Sequence, residues 1–533
     1  MPSPKILIVG AGPVGLTTAL CLHRSGVPPQ DILVVDQKLP HDPSRAWPKA
    51  ISMSASTLEV FRILGIAERF LKFGRPLHIQ HFGGGLQLLH LNYDVIGTKY
   101  PFNMSLNQRK TEEILVQRCE ELGIKFSWGR RFISLSQTES AVSVRLQKTD
   151  TPDDTGDDVV ETIESSWLIG CDSTHSAVRQ AAGISFEGTA TTRYSWIADG
   201  FCDADLPRML TVRGDDGQSL VIATGDGPTG RRFIGNYPPA AVSDGERPHA
   251  PNESDVRERA LKAFGTHYNF HDMTWSSVVG NAMRIAGSFR SGRVFIAGDS
   301  AHQIHPSGGM GMNTGILDAA DLGWKLAAVV TGAIGPDQGI VERVLDSYTT
   351  ERLGSGKAVI GILRAQMPVL FETTEDEKAI SAFITEALAE PNLSKRWAQR
   401  MTGFGDPVEP YQLAFGRRAV DSLVGTRVTH IADVDNPALV EATLQGKFIL
   451  AAVGESSSES NEYEKFKGLA NADKYKGRVC VLKAPLTTMA EKWNKANAVL
   501  IRPDLRVAWV ARDDMDIDVS QAELANTLQW WLG

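Results

Sequence analysis

Two stretches of this sequence set ligand-holding residue types at fixed spacing. In the first, Gly10-Ala-Gly12-Pro13-Val14-Gly15 follows the apolar run Lys5 to Val9 and opens a helical stretch that ends near Ser25. Asp36 and Gln37 then close a second apolar run, Ile32 to Val35. A Gly-x-Gly-x-x-Gly turn between strand and helix lets the chain double back at its first glycine. The second glycine brings backbone against a pyrophosphate, and the third packs helix on strand, so that the positive helix end faces the phosphate charge. An acidic side chain ending the next strand suits a ribose hydroxyl. Gly10, Gly12, Pro13, Val14, Gly15, Asp36 and Gln37 are therefore expected to hold a dinucleotide, FAD or NAD. An ordinary tight turn before a helix would not account for the whole pattern in this setting.

The second stretch runs from Gly292 to Gly315 and contains Gly298-Asp299, His302, His305-Pro306, Gly308-Gly309, Gly311-Met312-Asn313. Asp299, His302 and His305 stand three apart, a spacing that could suit metal ligands on successive turns. The strand-turn-helix setting offers no clear further ligand, which leaves the two histidines as packing and polar-satisfaction residues. As a whole the segment closely resembles the second fingerprint of the flavin-dependent aromatic hydroxylases, the p-hydroxybenzoate hydroxylase-like class A monooxygenases. That resemblance selects FAD over NAD. It implies that Asp299 bonds the ribitol or ribose, that Pro306 and Gly309 lie in the turn against the isoalloxazine ring, and that backbone N–H groups of Gly311, Met312 and Asn313 stabilise negative charge on the reduced flavin.

Shorter elements extend the same resemblance. Gly170-Cys-Asp172-Ser173 with Ser176 to Arg179 resembles the family's Asp-Gly motif, Ser173 standing where the glycine is usual, and Asp172 is expected at the cofactor. Gln108 matches a position that contacts the flavin. Lys49 occupies the offset of a pyrophosphate-binding arginine, keeping the charge without the fork, and Arg45 either substitutes for it or is a surface charge. Tyr348 and Glu351-Arg352 match a closing structural helix. The resemblance implies an FAD-dependent monooxygenase: NADPH or NADH serves as transient reductant, O2 forms a flavin hydroperoxide, and an aromatic or polyketide-like small molecule receives the oxygen. Baeyer-Villiger oxidation or epoxidation on the same scaffold is the alternative, and a flavin-binding protein without turnover is the reading from another class. No catalytic base is assigned, since Arg193, Tyr194, Tyr237 and Arg284 are each more often core or surface residues.

The elements that must position these groups read as an α/β chain: a Rossmann-like FAD-binding domain, a β-rich substrate domain and a C-terminal thioredoxin-like domain. The expected boundaries are 1–185 and 286–400 for the two parts of the FAD-binding domain, 186–285 for the substrate domain, 401–431 for a linker and 432–533 for the last unit. That unit has no Cys-x-x-Cys, so packing or dimerisation rather than dithiol exchange is expected of it. Helices are expected from Ser56 to Lys72 and from Thr111 to Gly123, and the acidic residues 149–166 read as a solvated loop. At 533 residues the chain exceeds a single core, and 42% hydrophobic with 22% charged residues is too apolar for a disordered one. A net charge of -8 gives no attraction for nucleic acid. Five scattered cysteines, no membrane-spanning run and an N-terminal apolar run broken by glycines suggest the cytosol. A homodimer is a family inference only.

Overall fold

The computed structural model describes residues 4–40, 42, 50–80, 82, 91–92, 97–149, 160–203, 205–224, 229–238, 246–405, 421–428, 437–482, 485–487 and 493–533. Arg45 and Lys49, and the linker residues Asp406, Pro407 and Pro410, lie outside them.

Ile6–Val9 is an unbroken apolar run with every residue buried, as a strand covered on both faces requires. It lies within a six-stranded sheet, between Trp167–Gly170 and Ile32–Asp36 and parallel to both. Val294–Ile296 continues the sheet beyond Trp167–Gly170, and Lys125–Trp128 beyond Ile32–Asp36, again in parallel. The chain thus leaves the first strand toward one side and returns on the other, which opens a crevice at the carboxyl ends of the central strands. Helix Pro13–Arg24 packs on helix Gly311–Val330 so tightly that a Cβ on Gly323 would lie 2.4 Å from Cys21 Cβ.

Beside this layer stands a five-stranded antiparallel sheet in the order Met209–Gly214, Gly217–Ala223, Gly230–Asn236, Tyr194–Phe201, His271–Gly280. One face buries Trp196, Phe233 and Phe270 with Val256 and Ala260 of helix Glu253–Phe264. Its other face looks toward the crevice.

Two expectations change. The helix expected from Ser56 to Lys72 is two helices, Ala55–Ile63 and Ala67–Leu71, because Gly65 turns the chain at φ +71°. Within the stretch read as an acidic loop, Val160–Ser165 is a strand antiparallel to Val142–Lys148. Its Val-x-Thr-Ile pattern half-buries one edge of a three-stranded sheet, and the acidic side chains on it do not prevent pairing.

The last unit has four strands in the order Val479–Val481, Phe448–Ala452, Ala496–Ile501, Val507–Arg512, the first pair parallel and the others antiparallel, with helices Asn461–Ala470 and Ile517–Leu532. Trp324 of helix Gly311–Val330 enters its core, 5.2 Å from the Trp531 ring and 5.5 Å from Phe448. Beneath these rings Arg502, fully buried, donates to Asp321, Glu351 and Asp504, and Lys325 bridges Asp321 and Glu351. The three carboxylates converge closely enough to hold a metal, but Arg502 and Lys325 supply the positive charge there. All five cysteines are free, and no helix among the described residues is long and apolar enough to cross a membrane.

Candidate active site

A cavity of about 780 Å³ occupies the crevice and continues to the open face of the five-stranded sheet. Gly10, Gly12, Pro13, Val14, Asp36, Gln37, Gln108, Asp172, Asp299, Pro306, Gly309, Gly311 and Met312 all line it. Gly15 and Asn313 stand behind the wall. The three glycines of the first turn have separate tasks. Gly10 holds φ +110°, and a Cβ there would lie 2.2 Å from the Cys171 carbonyl oxygen. On Gly15 it would lie 2.0 Å from the Gly10 oxygen, so that helix and turn touch through backbone. Gly12 has no protein atom within 4 Å of its Cβ position and faces the open cavity.

Two helices present their N-termini to this space. Neither Pro13–Arg24 nor Gly311–Val330 has a side-chain cap, so first-turn N–H groups and the positive helix ends are left for an anionic ligand. Asp36 at the end of its strand accepts from the Ala11 and Lys38 backbone N–H groups, both at 2.8 Å, which fixes the carboxylate. Gln108 is fixed likewise: Oε1 accepts from the Ala50 N–H at 3.0 Å and Nε2 donates to Glu112 at 2.8 Å.

Asp172 is a staple. Its carboxylate accepts from Ser176 Oγ at 2.5 Å, Ser300 Oγ at 3.0 Å and the Val178 N–H at 3.1 Å, tying its turn to the Asp299 segment. Next to it Ser173 has φ +77°, a conformation that suits glycine. Ser173→Gly is expected to keep or raise the melting temperature, and Ser173→Val to lower stability by roughly 1–2 kcal/mol; thermal denaturation of the two variants checks this.

Asp299 is exposed toward the cavity on the short turn Gly298–Ser300. Behind it Asp318, fully buried, accepts from the Gly298 N–H at 3.0 Å, from His302 Nε2 at 2.8 Å and from Arg352 Nε at 2.6 Å. Burial would raise that carboxyl, but Arg352 and His302 hold it below the usual range. Arg352 thereby gives the Tyr-x-x-Glu-Arg element a definite task, while Tyr348 donates to the Ile296 carbonyl at 2.8 Å. Asn313 uses both ends of its amide: Oδ1 accepts from the Ser54 N–H and Thr57 Oγ1, and Nδ2 donates to the Ser52 and Gly309 carbonyls. His302 is paired through Asp318. His305 lines the cavity.

Several lining residues were not foreseen. Lys38, Arg130 and Arg131 stand at the Asp36 end. At the other end the sheet contributes Ser195, Ile197, Met209, Leu220, Ile222, Arg232 and Ile234, which fall on one face by strand alternation. Leu220, Ile234 and Ile197 form one cross-strand row, and Met209, Ile222, Arg232 and Asp199 the next. Arg232 and Asp199 are a buried bidentate pair at 2.7 and 2.8 Å. Arg193, Tyr194, Tyr237 and Arg284 do not line the cavity; Tyr237 donates to the His249 carbonyl and Arg193 bonds Thr373 and Glu377.

Residues 4–361 match the family model described as FAD binding domain, and residues 421–533 the one described as aromatic-ring hydroxylase, C-terminal. The chain belongs to the FAD-dependent aromatic-ring hydroxylases. This hydroxylase is 29% identical over 543 residues to a rifampicin monooxygenase of Rhodococcus hoagii, covering 99% of this chain and 98% of that one. It is 28% identical over 531 residues to an uncharacterized aromatic compound monooxygenase of Bacillus subtilis, at 98% and 96% coverage. Among solved structures, the anhydrotetracycline hydroxylase OxyS from Streptomyces rimosus superposes with a TM-score of 0.80 at 25% identity, covering 99% of both chains. CabE, an aromatic hydroxylase from angucycline biosynthesis, gives 0.77 at 26%, covering 100% of this chain and 99% of that one. The hydroxylase is an FAD-dependent monooxygenase, with NAD(P)H the reductant of its family. Its cavity fits the cofactor: the open space over Gly12 and two uncapped helix ends suit a pyrophosphate and an electron-rich ring, and the fixed Asp36 carboxylate suits a ribose.

Proposed function

We propose that this monooxygenase hydroxylates a flat, polycyclic aromatic of the polyketide kind, laid on the aliphatic rows of the five-stranded sheet. The observation that carries the reading is the continuity of one cavity from the two helix ends to Ile197, Leu220, Ile222 and Ile234. A broad apolar wall with few polar groups suits fused rings, and the names of the rifampicin and anhydrotetracycline enzymes among the relatives point the same way.

In this reading Gly10, Gly12, Pro13, Val14 and Gly15 seat the pyrophosphate, with Arg45 and Lys49 as further cations. Asp36 and Gln37 take the adenosine end, and Asp299 a ribitol or ribose hydroxyl. Gln108 and Asp172 fix segments beside the cofactor. Pro306, Gly309 and the N–H groups of Gly311, Met312 and Asn313 lie along the ring, where the helix end stabilises its negative charge. Bound FAD, once reduced by NADPH or NADH, would activate O2, one of whose oxygen atoms passes to the substrate while the other leaves as water. The chain itself binds and orients both partners and keeps water out.

The chain divides at the boundaries 1–185, 186–285, 286–400, 401–431 and 432–533, a homodimer follows from the family, and the scattered, unpaired cysteines support a cytosolic location. The thioredoxin-like reading of 432–533 is supported by its strand order, with one parallel and two antiparallel pairings. Cys480 has no second cysteine near it in sequence, so the unit serves packing.

The test is an absorbance spectrum of the purified protein, followed by anaerobic NADPH and NADH with and without a panel of phenols and polycyclic aromatics. Flavin bands that bleach faster with a polycyclic compound are expected, and no acceleration by any aromatic would overturn the substrate reading. Asp299→Ala is expected to purify largely colourless with at least tenfold weaker FAD binding. Full retention of yellow holoenzyme would remove the role given to that carboxylate.

A further inference from the structure

Two clusters of buried charge share one pair of helices. On helix Gly311–Val330, Asp318 and Asp321 stand about one turn apart, and on helix Gln338–Phe371, Glu351 and Arg352 are adjacent. Asp318 and Arg352 make the cluster on the cofactor side. Arg352 Nε donates to Asp318 at 2.6 Å, and Nη2 to the Thr314 carbonyl at 3.3 Å, near the start of the helix whose N-terminus faces the cavity. Asp318 in turn accepts from the N–H of Gly298, the residue before Asp299. A Cβ on Gly315 would lie 2.8 Å from the Gly298 Cα, so turn and helix pack through backbone there. Arg352 thus clamps the Asp299 turn to the helix start.

Asp321 and Glu351 make the second cluster, and part of its positive charge comes from the C-terminal unit. Lys325 bridges the two carboxylates at 2.9 and 3.0 Å, while Arg502 donates to Asp321 at 2.7 Å and to Glu351 at 2.8 and 3.0 Å. All six side chains are buried, so none can find its counter-charge in water. Arg352 lies in the field of both clusters: burial would lower its guanidinium, and Asp318, then Asp321, hold it above its usual range. A buried cation with two acids in reach goes to the one that is less well paired. Without Arg502, Asp321 and Glu351 would share Lys325 alone, and Arg352 would be drawn toward them and off Asp318.

We propose that Arg502 is a positioning residue for the cofactor: by neutralising Asp321 and Glu351 from the C-terminal unit it leaves Arg352 to Asp318, and so holds the Asp299 turn and the helix start in the arrangement that binds FAD. The inference rests on the role given to Asp299 above. It adds a task for the C-terminal unit, none of whose described residues lines the cavity.

The experiment compares full-length wild type and Arg502→Met with Phe466→Ala, which destabilises the same unit by opening its core at the Phe466–Trp509 ring contact. FAD dissociation constants are read from the free-flavin fluorescence that returns as each holoenzyme is diluted, well below its melting temperature and at pH 8, where Asp321, pushed up to about 6 by burial, is ionised. Hydrogen exchange of the segment holding Gly298 is followed in the same proteins without flavin. Arg502→Met is expected to weaken FAD binding about tenfold and to speed exchange at that segment, and Phe466→Ala to do neither. The triple variant Arg502→Met, Asp321→Asn, Glu351→Gln leaves no carboxylate to draw Arg352 away, and is expected to bind FAD within about threefold of wild type. Exchange at Gly298 unchanged in Arg502→Met would overturn the proposal, and so would an equal loss of FAD affinity in Phe466→Ala, which would make the effect a general loosening. Should Arg502→Met not fold, Lys325→Met takes the other cation from the same two carboxylates and is expected to weaken FAD about threefold, an unchanged affinity and exchange there overturning the proposal equally. Faster exchange at Gly298 with unchanged FAD affinity would instead bring down the role given to Asp299 on which the proposal rests.

Discussion

Gly12→Ala is expected to fold as wild type does and to purify without flavin. The backbone at Gly12 is extended, φ -82° and ψ 179°, a conformation open to any residue, and no protein atom lies within 4 Å of the added methyl. The methyl group would project into open cavity at the N-terminus of helix Pro13–Arg24, where the proposed binding mode puts the pyrophosphate. The expected loss of FAD affinity is about a hundredfold or more, because the ligand must either retreat from the first-turn N–H groups or overlap the methyl. The neighbouring glycines make the contrast. Gly10→Ala puts a Cβ 2.2 Å from the Cys171 oxygen at φ +110°, and Gly15→Ala puts one 2.0 Å from the Gly10 oxygen. Those two variants are expected to be folding lesions with poor yield. Flavin absorbance per mole of protein, together with melting curves of apo wild type and apo Gly12→Ala, separates the cases. A yellow Gly12→Ala protein at full occupancy would remove Gly12 from the phosphate site, and an apo form that melts far below apo wild type would make it a structural glycine.

Which parts of this molecule were legible in its sequence follows from how local their physics is. The turn from Gly10 to Gly15 and the carboxylate of Asp36 lie within one strand-turn-helix-strand unit, so spacing alone shows that they come together at one end of the crevice. The segment around Asp299 and Gly311 is legible because a long contiguous string carries it. Asp172 is harder: its partners are Ser176 and Val178 nearby but also Ser300, 128 residues away, and spacing cannot report that bond. The cavity face of the five-stranded sheet was hidden for another reason. Ile197 and Ile234 face the cavity while their neighbours Trp196 and Phe233 bury against helix Glu253–Phe264, so both faces are apolar and alternation gives no polar side to mark the site. Composition misled at Val160–Ser165, where Glu161 and Glu164 suggested solvent although β-branched neighbours sustain a strand. Arg502, between Ile501 and Pro503, carries no local sign that it donates to three buried carboxylates.

Arg502→Met is expected to destabilise the enzyme by about 3–5 kcal/mol. The guanidinium is fully buried and donates to Asp321 at 2.7 Å, to Glu351 at 2.8 and 3.0 Å, and to Asp504 at 2.9 and 2.6 Å, with Trp324 and Trp531 rings 5.2 and 4.8 Å from its centre. Methionine fills the space between the rings but leaves three buried carboxylates facing one lysine, Lys325, and the more distant Arg506, 3.7 Å from Asp504. Burial would raise Glu351 and Asp504, and Arg502 is the largest influence holding both below the usual range. Asp321 already stands at about 6 through burial and the charge of Glu351. A carboxyl raised in the folded state binds its proton more tightly there than in the unfolded chain. Its contribution is therefore complete below the unfolded value of 3.8 and disappears as pH rises through about 6. Without Arg502 the other two carboxyls move the same way, so the deficit of the variant is expected to be largest near pH 8 and to shrink toward pH 5. Denaturant midpoints of wild type and variant across that range test the sign, and a deficit that stays constant with pH would mean that Arg502 acts through packing between the tryptophans rather than through charge. Removing the carboxylate charge along with the cation should restore much of the loss, since a neutral group left in place of an unpaired ion costs far less. The triple variant Arg502→Met, Asp321→Asn, Glu351→Gln is accordingly expected to be more stable than the single one. Arg502→Lys is expected to recover little, because an ammonium cannot reach three carboxylates with the five hydrogen bonds that the planar fork makes.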